Sequence, residues 1–442
     1  MSRVALIGEN SVEYVNTLID IWNNGDCAVL LDWRIPIETA YEMMQEAGVQ
    51  KCYIENTFVE KYELSNYPII QFIPFENRTQ TATQVTEDIY EKFQINYSQN
   101  EAVVIYSSGT TGKSKGIVLS HFSINTNADA IIDYMKLGKN DCLYVAKSLS
   151  HSSTITGELL VSLKSGARLI LAPTVVPPRV LMNNLSKFGV STLCLNPVLL
   201  RMCAEECQKR SYSLPALKTI YVSGSVLDDQ VYRIAHTAFI DVAIYNVYGL
   251  SEAGPRVTAQ RLDCCKSNSV GKPIKGVKIA IVDNKGDIVP ERVRGIVYVF
   301  TPSIYSGYIS GKEKHLSLYK GWLNTGDIGY IDENGELHIV GRADDLIIIN
   351  AHKIYPNDVE YAILNNTDVT ECVVVGYVSS HTGAMTLGCV YVSQVSLSVN
   401  DKKQLGKILL PYEVPKYYLR VEELPKNQNG KILRNEVKKL LR

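Results

Sequence analysis

The strongest constraint on this chain is the regular exchange of apolar runs with helical patterns between Val4 and Tyr248. Val4–Ile7, Cys27–Leu31 and Lys51–Ile54 read as buried strands. Between them Val15, Leu18, Ile19 and Trp22, and then Ile37 to Ala47, follow the helical period. Asn10 reads as an N-cap with Glu13 three residues later, and Asn24-Gly25 as the helix stop. Residues 57–100 are polar and hold short connecting elements. The alternation then resumes, with strands at Leu143–Ala146, Ala167–Leu171, Thr192–Leu195, Thr219–Val222 and Val242–Tyr245. Helices are expected at Ser123–Met135, Ile155–Leu163, Arg179–Phe188 and Pro197–Cys207. Strands that alternate with helices build parallel βαβ units, and such sheets bind ligands at the carboxyl ends of their strands.

From Gly271 the period changes. Short alternating runs at Val277–Val282, Gly295–Phe300, Tyr319–Asn324 and Glu336–Val340 are broken by Gly, Asp and Asn, the pattern of an antiparallel, β-barrel-like unit. Beyond Gly341 the chain becomes charged. A helix at Pro356–Asn365 and strands at Glu371–Tyr377 and Thr386–Val392 are expected there. A boundary near Asp344 divides the chain into residues 1–343 and 344–442. The expected class is α/β: a large N-terminal domain of two doubly wound αβ subdomains plus the small β-barrel-like unit, followed by an α+β C-terminal domain. At 442 residues the chain exceeds what one core serves.

Charge excludes some partners. Lys and Arg number 45 against 46 Asp and Glu, a net charge of −1, so neither nucleic acid nor an anionic membrane is indicated. No apolar run approaches a membrane span. The ten cysteines form no CxxC pair and no zinc spacing, which fits reduced thiols in a cytoplasmic protein.

The densest cluster of donors is Tyr106-Ser107-Ser108-Gly109-Thr110-Thr111-Gly112-Lys113-Ser114-Lys115-Gly116, set between two apolar strands. Glycines let backbone N–H groups approach an anion, and hydroxyls and ammoniums add donors, so a polyphosphate is the natural ligand. It is not a Walker A loop, because only two residues separate Gly109 from Gly112. Downstream, Tyr248-Gly249-Leu250-Ser251-Glu252 follows a strand. An aromatic face there suits a purine, and a carboxylate beside a polyphosphate suits Mg²⁺. Thr325-Gly326-Asp327 offers a carboxylate with two acceptor oxygens, the match for a vicinal diol. Gly341-Arg342-Ala343-Asp344 comes next, and Gly430-Lys431 lies near the C-terminus.

These motifs, in this order, resemble those of the acid-activating adenylate-forming enzymes: acyl- and aryl-CoA synthetases, peptide-synthetase adenylation domains and luciferases. The resemblance runs from about residue 4 to the end. It implies that Ser107, Ser108, Gly109, Thr110, Thr111, Gly112 and Lys113 hold ATP phosphates. It also implies that Tyr248 stacks on adenine with Gly224 along the opposite face, and that Asn246 and Gly249 complete the nucleotide site. Ser251 would touch the α-phosphate, Glu252 would hold Mg²⁺, and Asp327 and Arg342 would bind the ribose. Asp344 would be the hinge of a mobile C-terminal domain. Lys431 would bridge the carboxylate and the α-phosphate, where a cation offsets two approaching anions.

His151 stands where the family places acid-pocket residues. A His there argues against an α-amino acid and for an aryl or acyl acid, with a structural histidine as the alternative. Ala351 replaces a glycine that lines the thiol channel in relatives. The implied activity is ATP-dependent activation of a small carboxylic acid to an acyl-adenylate, with transfer to CoA or to the phosphopantetheine of a separate carrier protein. A catalytically silent nucleotide-binding regulator is the alternative of a different class. The chain is short before its first strand compared with relatives, which leaves an exposed edge or a homodimer contact as readings.

Overall fold

The computed structural model describes residues 1–59, 61–77, 81–108, 114–173, 176–225, 227, 229–262, 269–310, 318–319, 321–350, 352–379, 383–426 and 432–441. Two sheets organise it. The first has seven strands. Its parallel part runs Gln71–Phe75, Lys51–Glu55, Arg3–Ile7, Cys27–Leu31 and Glu101–Ser108. The antiparallel strands Ser114–Ser120 and Gly307–Tyr308 complete it. The second sheet has a parallel part in the order Arg168–Leu171, Cys142–Val145, Thr192–Leu195, Thr219–Val222 and Ala243–Gly249.

Helices Val12–Asn23 and His121–Met135, with the helical stretch from Ser152 to Ser165, lie between the two sheets. One core joins Leu6, Leu30 and Val103 of the first sheet to Leu143, Val145 and Leu169 of the second through Leu18, Ile131 and Leu159. Leu18 and Ile131 have no exposed surface. Truncating such a residue to Ala costs about 2–5 kcal/mol. Ile37–Glu46 covers the outer face of the first sheet, and Pro178–Phe188, Pro197–Lys209 and Asp229–Ala238 cover that of the second.

Several expectations need correction. Among the described residues the barrel-like unit does not close. Ser269–Pro273 pairs with Arg256–Leu262 on one side and with Leu337–Arg342 on the other. Among the described residues the antiparallel strands therefore extend the second sheet to thirteen strands, twelve along one open path and Leu318–Tyr319 paired beside it on Trp322–Ile331. The strand expected to stop at Tyr245 runs on to Gly249, because Arg256–Leu262 folds back and pairs along it. Asn10 is not the N-cap. Ser11 caps Val12–Asn23 and accepts from Tyr14 N at 3.0 Å. Asn10 is 2% exposed and makes long-range bonds instead. The expected helix at Ile155–Leu163 begins as a π-helix over Ile155–Leu160.

The C-terminal part packs Pro356–Asn366 and Val399–Ile408 on a three-stranded sheet of Glu371–Val378, Met385–Val392 and Tyr417–Val421. It contacts the rest of the chain through polar bonds. Tyr361 Oη donates to Asp229 Oδ2 at 2.5 Å, Arg201 Nη1 to Thr370 O at 3.0 Å, and Arg294 Nη1 to Asp358 Oδ2 at 2.6 Å. Among the described residues no helix is long and apolar enough to cross a membrane.

Candidate active site

The donor-rich loop joins two paired strands. Ser107 faces Lys115 and Ser108 faces Ser114 across the hairpin. Gly109, Thr110, Thr111, Gly112 and Lys113, together with Ala351 and Lys431, lie outside the described residues. The exit of the hairpin is tied to the acidic motif. Gly307–Tyr308 adds to Ser114–Ser120 as a further strand, and Tyr308 Oη donates to Glu252 Oε1 at 2.9 Å. The Lys115 ammonium stands 5.4 Å from the centre of the same tyrosine ring. Tyr305 N donates to Glu252 O at 2.9 Å. Two motifs about 140 residues apart, at Ser107–Gly116 and at Ser251–Glu252, thus share one edge.

Tyr248, Asp327 and Arg342 form one chain of bonds. Tyr248 Oη donates to Asp327 Oδ2 at 2.5 Å, and Arg342 Nη1 donates to Asp327 Oδ1 at 3.0 Å. Asp327 and Arg342 are register partners on adjacent strands, so the ion pair follows from the pairing. Burial pushes the Tyr248 hydroxyl far above its ordinary range, and the Asp327 charge adds to the shift, so Tyr248 stays a donor. Tyr248 and Arg342 thus reach the two oxygens of Asp327 separately. A carboxylate accepts about four hydrogen bonds, which suits it to the paired hydroxyls of a diol.

Two glycines have distinct duties. A Cβ on Gly249 would sit 1.8 Å from Pro255 O, because the chain reverses there. Gly224 has φ +98° with nothing within 4 Å of where a Cβ would be, so open space faces it. Asn246 is buried, and its Nδ2 donates to Ser269 O at 3.0 Å, joining Ala243–Gly249 to the next antiparallel strand. Asp344 is exposed in a short turn at Ala343–Asp345. The neighbouring Asp345 pairs with Arg434 Nε at 3.3 Å.

On the other side of Ser251 lies a polar loop. Ser152 Oγ and Ser251 Oγ are 2.8 Å apart. His151 precedes Ser152, half-buried, and its charge acts on Asp32. Burial pushes the Asp32 carboxyl up, but bonds and charge from Arg34, with His151 beside it, hold it below the usual carboxylate range. Arg34 Nε donates to Asp32 Oδ1 at 2.8 Å. Asn10 anchors this loop. Its Nδ2 donates to Lys147 O at 2.8 Å and Ala172 O at 3.1 Å, and its Oδ1 accepts from Leu149 N at 2.9 Å.

The structure therefore brings Ser107, Tyr308, Glu252, Ser251 and Ser152 into one connected region, and ties Asp327 and Arg342, from two antiparallel strands, to Tyr248 on the strand that leads into it. Sequence reasoning missed Asn10 as an anchor, Asp32, Arg34, Ser152 and Tyr308. Asp32-Trp33-Arg34 directly follows the strand Cys27–Leu31, at the edge where doubly wound sheets bind ligands, and that position was the available signal. Nothing in sequence marks Tyr308.

A family model for the AMP-binding enzyme matches residues 1–309, and one for the AMP-binding enzyme C-terminal domain matches residues 358–431. Among curated relatives, the 2-succinylbenzoate–CoA ligase of Bacillus mycoides is 28% identical over 445 aligned positions, covering 99% of this chain and 88% of its own. That of Bacillus anthracis is 27% identical over the same coverage. ATP-bound MatB from Rhodopseudomonas palustris superposes with a TM-score of 0.88 at 21% identity, over 99% of this chain and 88% of its own. The O-succinylbenzoate coenzyme A synthetase of Bacillus subtilis, in complex with ATP and magnesium ion, gives 0.83 at 22% identity, over 99% and 89%. With its adenylate motifs on the shared edge and the family model spanning more than half its length, the chain belongs to the AMP-binding enzyme family.

Proposed function

We propose that the protein is an AMP-forming acid–thiol ligase. It activates a carboxylic acid with ATP to an acyl-adenylate, releases pyrophosphate, and passes the acyl group to coenzyme A. The observation that carries this reading is the Tyr248–Asp327–Arg342 chain of bonds, whose Tyr248 lies on the strand that continues into Ser251-Glu252, with Glu252 bonded through Tyr308 to the donor-rich hairpin. One region thus offers an aromatic face, a carboxylate for a diol, and a carboxylate next to phosphate donors.

Mg²⁺ fits this donor set. Glu252 Oε1 takes one hydroxyl bond, which leaves oxygen lone pairs for a hard cation. The ion would neutralise phosphate charge, and Lys431 would do so between the acid and the α-phosphorus. Ser251 and His151 border the acid. Asp344 would be the hinge about which residues 344–442 turn between the two half-reactions. The relatives' name supports an aryl acid of the 2-succinylbenzoate kind, and coenzyme A over a carrier protein as acceptor.

The test is pyrophosphate release on a panel of alkyl, aryl and amino acids, followed by thioester formation with coenzyme A. Release with an aryl or acyl acid and consumption of the thiol are expected. Nucleotide binding with no release on any acid would favour a silent regulator instead.

A further inference from the structure

A cavity of about 300 Å³ opens where the helix Val12–Asn23 ends, away from the adenylate motifs. Three pieces of chain build its wall. Trp22, Asn23 and Gly25 lead into the strand Cys27–Leu31, Phe93 to Asn96 lead toward Glu101–Ser108, and His121, Ile124 and Asn125 follow Ser114–Ser120. The first two strands are entered here at their amino ends. Ser114–Ser120 runs antiparallel to its neighbour, so its last residue reaches the same edge. Doubly wound sheets bind their ligands at the opposite, carboxyl edge. The seven residues of Ser114–Ser120, at about 3.4 Å each, put His121 roughly 20 Å from the hairpin end at Ser108 and Ser114.

The cavity has a rim in solvent and a floor in the core. Asn23, Gly25 and Ile95 are exposed at the rim, Ile95 by 54%. Trp22, Ile124 and Leu160 are buried below them. One side is aromatic. The Trp22 ring has Phe93 at 6.5 Å and His121 at 6.0 Å, the second edge-to-face. The indole N–H is already used, since Nε1 donates to Ala102 O at 3.0 Å.

His121 is 5% exposed, yet among the described residues its ring makes no hydrogen bond. Burial lowers this imidazole to about 4, so at neutral pH it is uncharged and offers one donor and one acceptor. Asn125, also buried, uses its Nδ2 on Asn96 O at 2.8 Å and His121 O at 3.0 Å, and its Oδ1 accepts no bond. Buried polar side chains are normally partnered, and here two groups in one wall await a partner. Among the described residues no Asp, Glu, Lys or Arg lines the cavity, so its match is an uncharged molecule. Its volume is about twice the roughly 150 Å³ that accepts benzene in a protein core, which sets the scale at one or two rings.

We propose that this cavity is a second small-molecule site, separate from the adenylate site, for a neutral hydroxylated aromatic of one or two rings. The ring packs against Trp22 and Phe93, and the hydroxyl shares a hydrogen bond with the His121 imidazole. The inference does not depend on the ligase reading.

The probe is 2-naphthol, with 2-naphthalenesulfonate as the same ring system bearing a charge. Calorimetric titrations are run on the wild type and on His121→Phe, each with and without saturating ATP. The wild type binds 2-naphthol saturably, one to one, and ATP leaves the affinity unchanged. The sulfonate binds about tenfold or more weakly, because no cation in the wall offsets its charge. His121→Phe keeps a ring against Trp22 and removes both nitrogens, so it weakens 2-naphthol about fivefold, the worth of one neutral hydrogen bond.

Absence of saturable binding to the wild type overturns the proposal, and this outcome needs no variant to fold. So does displacement of 2-naphthol by ATP, which would place it in the adenylate site. Equal affinity for the sulfonate would show that the wall does not select a neutral molecule, and overturns the proposal as well. An unchanged affinity in a folded His121→Phe would put 2-naphthol elsewhere on the protein.

Discussion

Asn10 offers the sharpest test of how the site is built. It is 2% exposed, and its side chain bonds Lys147 O, Ala172 O and Leu149 N at 2.8, 3.1 and 2.9 Å. It therefore pins the entrance of the first helix of one sheet to the loop at the carboxyl edge of the other. Asn10→Ala removes three bonds, each worth about 1 kcal/mol net, and leaves buried backbone groups unpaired, for a total of about 3 kcal/mol or more. In a large domain that lowers the thermal midpoint by about 6 °C or more. The same loop leads into His151 and Ser152, so KM for the acid rises while KM for ATP changes little. Asn10→Asp is the discriminating variant. It can still accept from Leu149 N, but it turns a carboxylate toward two carbonyl oxygens. It should be no better than Ala, despite its closer shape. Thermal unfolding and pyrophosphate release on both variants decide. An Asp variant clearly more stable than Ala, or an Ala variant within about 1 kcal/mol of wild type, would refute the anchoring argument.

Three further outcomes are expected. Asp327→Asn weakens both the Arg342 pair and the acceptor for a diol, so KM for ATP rises about tenfold or more, at roughly 1.4 kcal/mol per decade; an unchanged KM would remove Asp327 from the nucleotide site. Lys431→Ala loses about 10²–10³ in adenylation, as loss of one positioned electrostatic group does, and spares thiol transfer from supplied acyl-adenylate; equal loss in both half-reactions would make Lys431 structural. Burial lowers the His121 imidazole to about 4. A depressed histidine is neutral in the folded chain while the unfolded chain takes up a proton, so stability should fall as pH drops from about 6.5 toward 4. Thermal midpoints of wild type and His121→Gln across that window check it, and identical acid sensitivity would count against His121 as its source.

Much of the site was legible because its parts are contiguous runs with local demands. Tyr248-Gly249-Leu250-Ser251-Glu252 needs a strand end followed by a turn, and the chain supplies one. Gly249 stands where no side chain fits. The alternation from Val4 onward carries the parallel order of both sheets, since a parallel crossover requires an intervening helix. Less was legible where a residue's partner lies far along the chain. Asn10 has the composition of a cap and stands one residue too early for it. Whether it caps a helix or ties two sheets depends on which loop lies opposite, which a local pattern does not encode.

The open end of the second sheet shows the same limit. Alternating residues from Val277 to Val340 specify antiparallel strands, yet closure depends on the neighbour each edge meets. Ser269–Pro273 bridges Arg256–Leu262 and Leu337–Arg342, so the strands lengthen a sheet instead of curling into a barrel. Arg256 is the extreme case. By itself it is one arginine after a proline, indistinguishable from a surface charge. Only packing against Gly157, Tyr134 and Tyr221 buries it. The sequence by itself determined the strand and helix order and the chemistry of each motif, because backbone period and residue type act over a few neighbours. The tertiary structure alone decided which charges meet and which do not, because burial and pairing are properties of residues brought together from distant parts of the chain.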